Sequence, residues 1–131
     1  MTSGVRAPEP DRYRLIRQIG RGGMGEVFLA RDLTLGREVA IKFLAREPGH
    51  VTKKRLLHEA QSAAALDHPN ICTVYEVGET PDGRGFIVMQ FVEGETLASR
   101  LERGPLPVRE VLTLGAQVTD ALAAAHRHGI V

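Results

Sequence analysis

Three groups of residues in this chain have types and spacings suited to chemistry. Gly20, Gly22 and Gly25 form a G-x-G-x-x-G run with Val27 two residues beyond it. Glycine allows backbone N–H groups to approach a phosphate chain that side chains would hold off, and it tolerates the dihedrals such a cradle needs. Lys42 closes the run Val39-Ala40-Ile41-Lys42. An ammonium group between Ile41 and Phe43 on an apolar strand is costly unless it is paired or reaches solvent, so Lys42 calls for an anion. Glu59, flanked by Leu56, Leu57, Ala60 and Ala63, is the best carboxylate for that purpose. A surface pair with Arg55 at i−4 is the other arrangement its helix allows, and for Lys42 the other is a solvent-facing edge-strand position.

Other reactive types are present without a pattern. His126 and His128 are two apart on a helix and so point to different faces, and neither they nor His68 have Cys or carboxylate companions at ligand spacing, so no metal site is expected. Cys72 is the only cysteine and cannot form an internal disulfide, which fits a reducing compartment and a buried apolar role. No Ser-His-Asp or Cys-His arrangement is recognisable. The formal net charge of +1 gives no basic face, so no nucleic-acid partner is expected. No apolar run reaches the ~18 residues of a membrane span, and residues 1–11 lack the apolar core of a signal peptide, so the chain is expected to be cytoplasmic.

The elements that must position these residues follow from periodicity. At 131 residues and 43% hydrophobic composition the chain can form one compact domain or part of a larger one. Residues 1–10, MTSGVRAPEP, lack apolar periodicity and read as a mobile arm. Alternation predicts strands over 13–19, which the glycines then interrupt, over 26–30 and over 37–44, with a turn at 32–36. A helix is expected over about 51–66, begun at His50 or Thr52 and ended by Asp67-His68-Pro69-Asn70. The runs 71–77 and 86–92 are expected to pair as an antiparallel hairpin around Pro81-Asp82-Gly83-Arg84-Gly85. Thr96 can cap a short helix over 97–102. A long helix over about 107–128 carries the apolar stripe Val108, Val111, Leu112, Gly115, Val118, Leu122 and Ala125, with Gly129 at its end.

A lone glycine run also opens a dinucleotide-binding Rossmann unit, where it joins a strand to a helix. Here β-prone Val27-Phe28 follows, and too few residues separate Gly25 from Val39 for a crossover. With YRLIRQIGRGGMGEVFLARD, REVAIKFL, the HPNI turn and VMQFVEGETL in order, the chain resembles the eukaryotic-like Ser/Thr protein kinases of bacteria from about residue 11 to 131. That resemblance implies an α+β fold: an N-lobe over about 11–92 with a five-stranded antiparallel sheet and one regulatory helix, a hinge over about 90–95, and the first helices of a C-lobe over about 96–131. It also implies that Lys42 contacts the α- and β-phosphates of ATP and that Glu59 orients it. Ile19, Val27 and Ala40 would line the adenine slot, with Met89 at its rear. Backbone groups of Gln90 and Val92 would read the adenine edge, and Thr96 would lie near the ribose.

The residues given stop before the expected His-Arg-Asp loop, its Asn and the Asp-Phe-Gly magnesium ligand. The resemblance therefore implies nucleotide binding here, with Mg²⁺ ligands and catalytic base beyond Val131, γ-phosphoryl transfer to protein hydroxyls only in the full-length protein, and none by this chain. A non-catalytic nucleotide-binding or interaction module is the alternative, and a Rossmann oxidoreductase a more distant one. The apolar stripe on the last helix also leads to an expectation that the isolated polypeptide is marginally stable or aggregation-prone.

Overall fold

The computed structural model describes residues 12–22, 25–44 and 50–131; the expected arm over 1–10 lies outside them. Strands β1 (Tyr13–Gly22), β2 (Gly25–Asp32) and β3 (Arg37–Leu44) come first, followed by helix α1 (His50–Ala64). Strands β4 (Val74–Glu79) and β5 (Gly85–Gln90) and helices α2 (Leu97–Leu101) and α3 (Val108–Arg127) complete the order. The fold is α+β: one five-stranded sheet in the order β1-β2-β3-β5-β4, every pairing antiparallel. That pattern is incompatible with the parallel sheet of a Rossmann unit.

The glycines do not interrupt β1 as expected. The strand runs on to Gly22, because β2 supplies partners as far as the pair Gly22 and Gly25, and only register irregularities between Leu15 and Arg17 and between Gln18 and Gly20 disturb it. Gly25 takes φ 134°, which a side chain would resist. The β2–β3 turn is built on Asp32, whose Oδ1 accepts the backbone N–H groups of Thr34 and Leu35 at 3.0 and 3.1 Å. Gly36 closes that turn at φ 68°.

Strand β3 lies at the centre of the sheet. Val39, Ile41 and Phe43 point to one side, where they meet Ala30, Phe86, Val88, Tyr13 and the partly buried Phe28. Phe43 takes the edge of Phe28 at a centroid distance of 5.9 Å. Its other face carries Ala40, Lys42 and Leu44, in strict alternation. Although β1 and β4 are the two edges of the sheet, Tyr13 Oη donates to Glu76 Oε2 at 3.0 Å and Arg12 reaches the same oxygen at 3.3 Å. The sheet is therefore curled enough for its edges to meet.

Helix α1 leans chiefly on β4 and β5. The segment after it, where Pro69 ends helical geometry, is tied to α3: His68 Nε2 lies 3.0 Å from Asp120 Oδ2, and Asn70 Nδ2 donates to the Gln117 carbonyl at 3.4 Å. Thr96 caps α2 as expected, its Oγ1 accepting the Ser99 N–H at 3.0 Å. The expected stripe on α3 is apolar but uncovered, with Val108 76% and Leu112 68% exposed.

Candidate functional site

Directly opposed residues of an antiparallel pair present their side chains to the same face of the sheet. Lys42 is opposed by Val27 on one side and Ile87 on the other, and Ala40 by Leu29 and Met89. Gly20 opposes Val27, and a Cβ at Gly20 would stand 3.7 Å from that of Val27. Thus Lys42, Val27, Ala40, Met89 and Gly20, nominated from separate stretches of sequence, come together on one face. Leu29 and Ile87 join them there; sequence analysis passed over both, although their opposition to Ala40 and Lys42 would have revealed them had the register been known.

This face is apolar apart from the single cation Lys42. Leu29 and Ala40 are nearly fully buried, Val27, Ile87 and Met89 half-buried. Lys42 is half-buried among them, and no ion pair joins it to any other described residue. At the β1–β2 end, Gly22 and Gly25 form the last pair of the ladder. Ile19 sits between the paired Gln18 and Gly20 at a register irregularity, without an opposed residue of its own, and is 36% exposed.

Glu59 is not brought to Lys42. Its carboxylate is exposed and accepts Arg55 Nε at 3.4 Å, the i−4 arrangement, in place of the expected pair. Helix phase separates them: Leu57 lies against Gly85 of the sheet, and Glu59, two positions further, points about 200° around the helix from it.

At the end of β5, the backbone of Gln90 is engaged already. Its N–H donates to the Thr73 carbonyl at 2.8 Å, its side-chain Oε1 accepts the Thr73 N–H at 3.3 Å, and its carbonyl accepts the Cys72 thiol at 3.4 Å. The Gln90 N–H is thus committed, and the carbonyl keeps one lone pair. Val92 is 63% exposed just beyond β5. The hydroxyl oxygen of Thr96 accepts the Ser99 N–H in the α2 cap, which leaves its own proton and a second lone pair for another partner. Glu95 beside it takes a two-pronged contact from Arg103 at 2.5 and 2.7 Å, and that guanidinium holds its carboxyl below the usual range.

An antiparallel five-stranded sheet with a glycine hairpin, a lysine on the central strand and a helix between β3 and β4 make up the arrangement expected of a protein kinase N-lobe. In agreement, residues 13–131 match the family model described as Protein kinase domain, and the chain belongs to that family. It is 46% identical over 123 residues to the serine/threonine-protein kinase PrkC of Bacillus subtilis, which covers 92% of this chain and 19% of that protein. Serine/threonine-protein kinase PknB of Mycolicibacterium smegmatis is 46% identical over 129 residues, covering 92% and 20%. Serine/threonine-protein kinase pkn2 of Myxococcus xanthus is 41% identical over 123 residues, covering 92% and 15%. The chain therefore spans about one fifth of the length of the first two. No described helix is long and apolar enough to cross a membrane.

Proposed function

We propose that this chain is the ATP-binding portion of a Ser/Thr protein kinase. The observation that carries the reading is the meeting of Lys42 with Val27, Ala40 and Met89 on one sheet face beside the glycine hairpin. The residues fit the nucleotide: small and apolar side chains for a flat base, a hairpin tip without side chains at Gly20, Gly22 and Gly25, and an ammonium group without an anion of its own among the described residues. When bound with Mg²⁺, ATP supplies the γ-phosphoryl group that the full-length protein transfers to a protein hydroxyl.

Within that reading Lys42 holds the α- and β-phosphates, and Glu59 holds Lys42 in place once it leaves Arg55. Gly20, Gly22 and Gly25 cover the phosphates through backbone N–H groups, and Ile19, Val27, Ala40 and Met89 enclose the base. The free lone pair of the Gln90 carbonyl and the backbone of Val92 read its edge. By the family resemblance, the Mg²⁺ ligands are assigned to residues beyond Val131. Residues 11–92 are assigned to the N-lobe and 96–131 to the start of the C-lobe, in a cytoplasmic protein with protein substrates and no nucleic-acid partner.

The Arg55–Glu59 pair favours a second reading, a nucleotide-binding module that performs no transfer. Nucleotide titration of the wild type and Lys42→Met tests what both share. ATP is expected to bind the wild type at least tenfold more tightly, a difference of about 1.4 kcal/mol. Equal affinity would contradict the assignment of Lys42. Transfer of labelled phosphate by the full-length protein then separates the two readings.

A further inference from the structure

In a regular antiparallel ladder, the two residues of a hydrogen-bonded pair exchange both of their N–H···O=C bonds. Val74 opposes Met89 at the end of the β4–β5 ladder, so Thr73 and Gln90 are the next pair out. Half of that exchange is present, the Gln90 N–H donating to the Thr73 carbonyl at 2.8 Å. The other half is replaced. The Thr73 N–H donates at 3.3 Å to Oε1 of the Gln90 side chain, and the Gln90 carbonyl that the ladder would use accepts the Cys72 thiol at 3.4 Å instead. A thiol is a weak donor and a carbonyl has two lone pairs, so this carbonyl keeps capacity for a strong donor.

We infer that Gln90 is a positioning residue through its side chain: by taking the Thr73 N–H in place of its own carbonyl, it keeps that carbonyl out of the ladder and open to the amino group of an adenine. The inference rests on the reading of the Lys42 face as a nucleotide site; Gln90 directly follows Met89, which opposes Ala40 on that face. Without the side-chain acceptor, the regular Thr73–Gln90 pair is the arrangement that satisfies the Thr73 N–H, and it uses the lone pair that the base needs. The acceptor oxygen carries the effect. Glutamate at this position retains such an oxygen, whereas leucine has a similar size and no acceptor.

Titration of the full-length protein with ATP and with purine riboside triphosphate, which lacks the exocyclic amino group of the base, tests this without relying on catalysis. The two ligands carry the same phosphates, so the ratio of their affinities separates the base edge from Lys42. The wild type is expected to favour ATP roughly tenfold, the worth of one hydrogen bond. In Gln90→Leu the preference falls to within about twofold, and in Gln90→Glu it is kept. A structural role alone would weaken both ligands alike and leave the ratio unmoved. If Gln90→Leu does not melt cooperatively, Gln90→Ala takes its place. A preference retained in folded Gln90→Leu, or lost in Gln90→Glu as well, would overturn the inference and leave the nucleotide reading intact. Equal binding of the two ligands by the wild type would overturn the inference too; if Lys42→Met then binds both as tightly as the wild type, the nucleotide reading falls with it.

Discussion

Asp32 shows how one side chain can set a local structure and report on it. Its carboxylate is almost fully buried and anchors the β2–β3 turn through Thr34 and Leu35, with Arg12 3.5 Å away. Burial raises its pKa, but the Leu35 and Thr34 N–H groups and the Arg12 guanidinium outweigh burial and hold it below the usual carboxylate range. A depressed folded pKa contributes stability that is present above the unfolded value near ~3.9 and is lost as pH falls through the folded value. Asp32→Asn should be less stable at pH 7 by roughly 1–2 kcal/mol and should lose part of the acid dependence. Urea melts at pH 7 and pH 3 check this, and a wild-type difference between the two pH values retained unchanged in Asp32→Asn would contradict it.

At this scale the sequence was informative where a residue's environment is its own strand. Lys42 stood out because Ile41 and Phe43 flank it, and the alternation that separates Ala40, Lys42 and Leu44 from Val39, Ile41 and Phe43 is local. Glu59 was nominated by type and flanking residues, but its direction depends on how α1 rolls on Leu57, a tertiary choice. Thr96 was legible as the α2 cap from its type and position ahead of the helix.

Among elements, the segment between α1 and β4 is the joint that sequence reading missed. His68 was weighed as a metal ligand and as part of the helix end, without a partner on α3. Its Nδ1 accepts the Asn70 N–H at 3.0 Å, which places the ring proton on Nε2, facing Asp120 on α3. The partners are 52 residues apart, so no local pattern announces them. Removing the ring in His68→Ala should speed hydrogen exchange at the Asn70 amide by roughly five- to tenfold, as expected for losing about 1 kcal/mol locally. Asp120→Asn should have the smaller effect at that amide, because His68 Nδ1 remains. Equal exchange in wild type and His68→Ala would show that this bond does not hold the segment. The continuation of β1 through its glycines belongs to the same scale: local propensity favours a break, and pairing with β2 overrides it.

For the whole molecule, the decisive feature is curvature. Composition and alternation led to five strands and their hairpins, and the family resemblance to their assembly, yet neither shows that Tyr13 at one edge would meet Glu76 at the other, 63 residues away. Burial and that carboxylate both push the Tyr13 hydroxyl upward, so it remains a donor throughout the accessible pH range. Tyr13→Phe should lower global stability by about 1 kcal/mol, read as an earlier urea midpoint with an unchanged slope. No shift in midpoint would mean that the edges are held by core packing alone.

The sheet has a filled side and a second side that carries Lys42. Val39, Ile41 and Val88 lie on the filled side, and Val27, Ala40, Ile87 and Met89 lie with Lys42 on the other. Methyl NMR during an ATP titration tests this division most directly. The account predicts saturable shifts at Val27, Ala40, Ile87 and Met89 that disappear in Lys42→Met, with Val39, Ile41 and Val88 changed little. Shifts confined to Val39, Ile41 and Val88, or none at any of these methyls at saturating ATP, would contradict it.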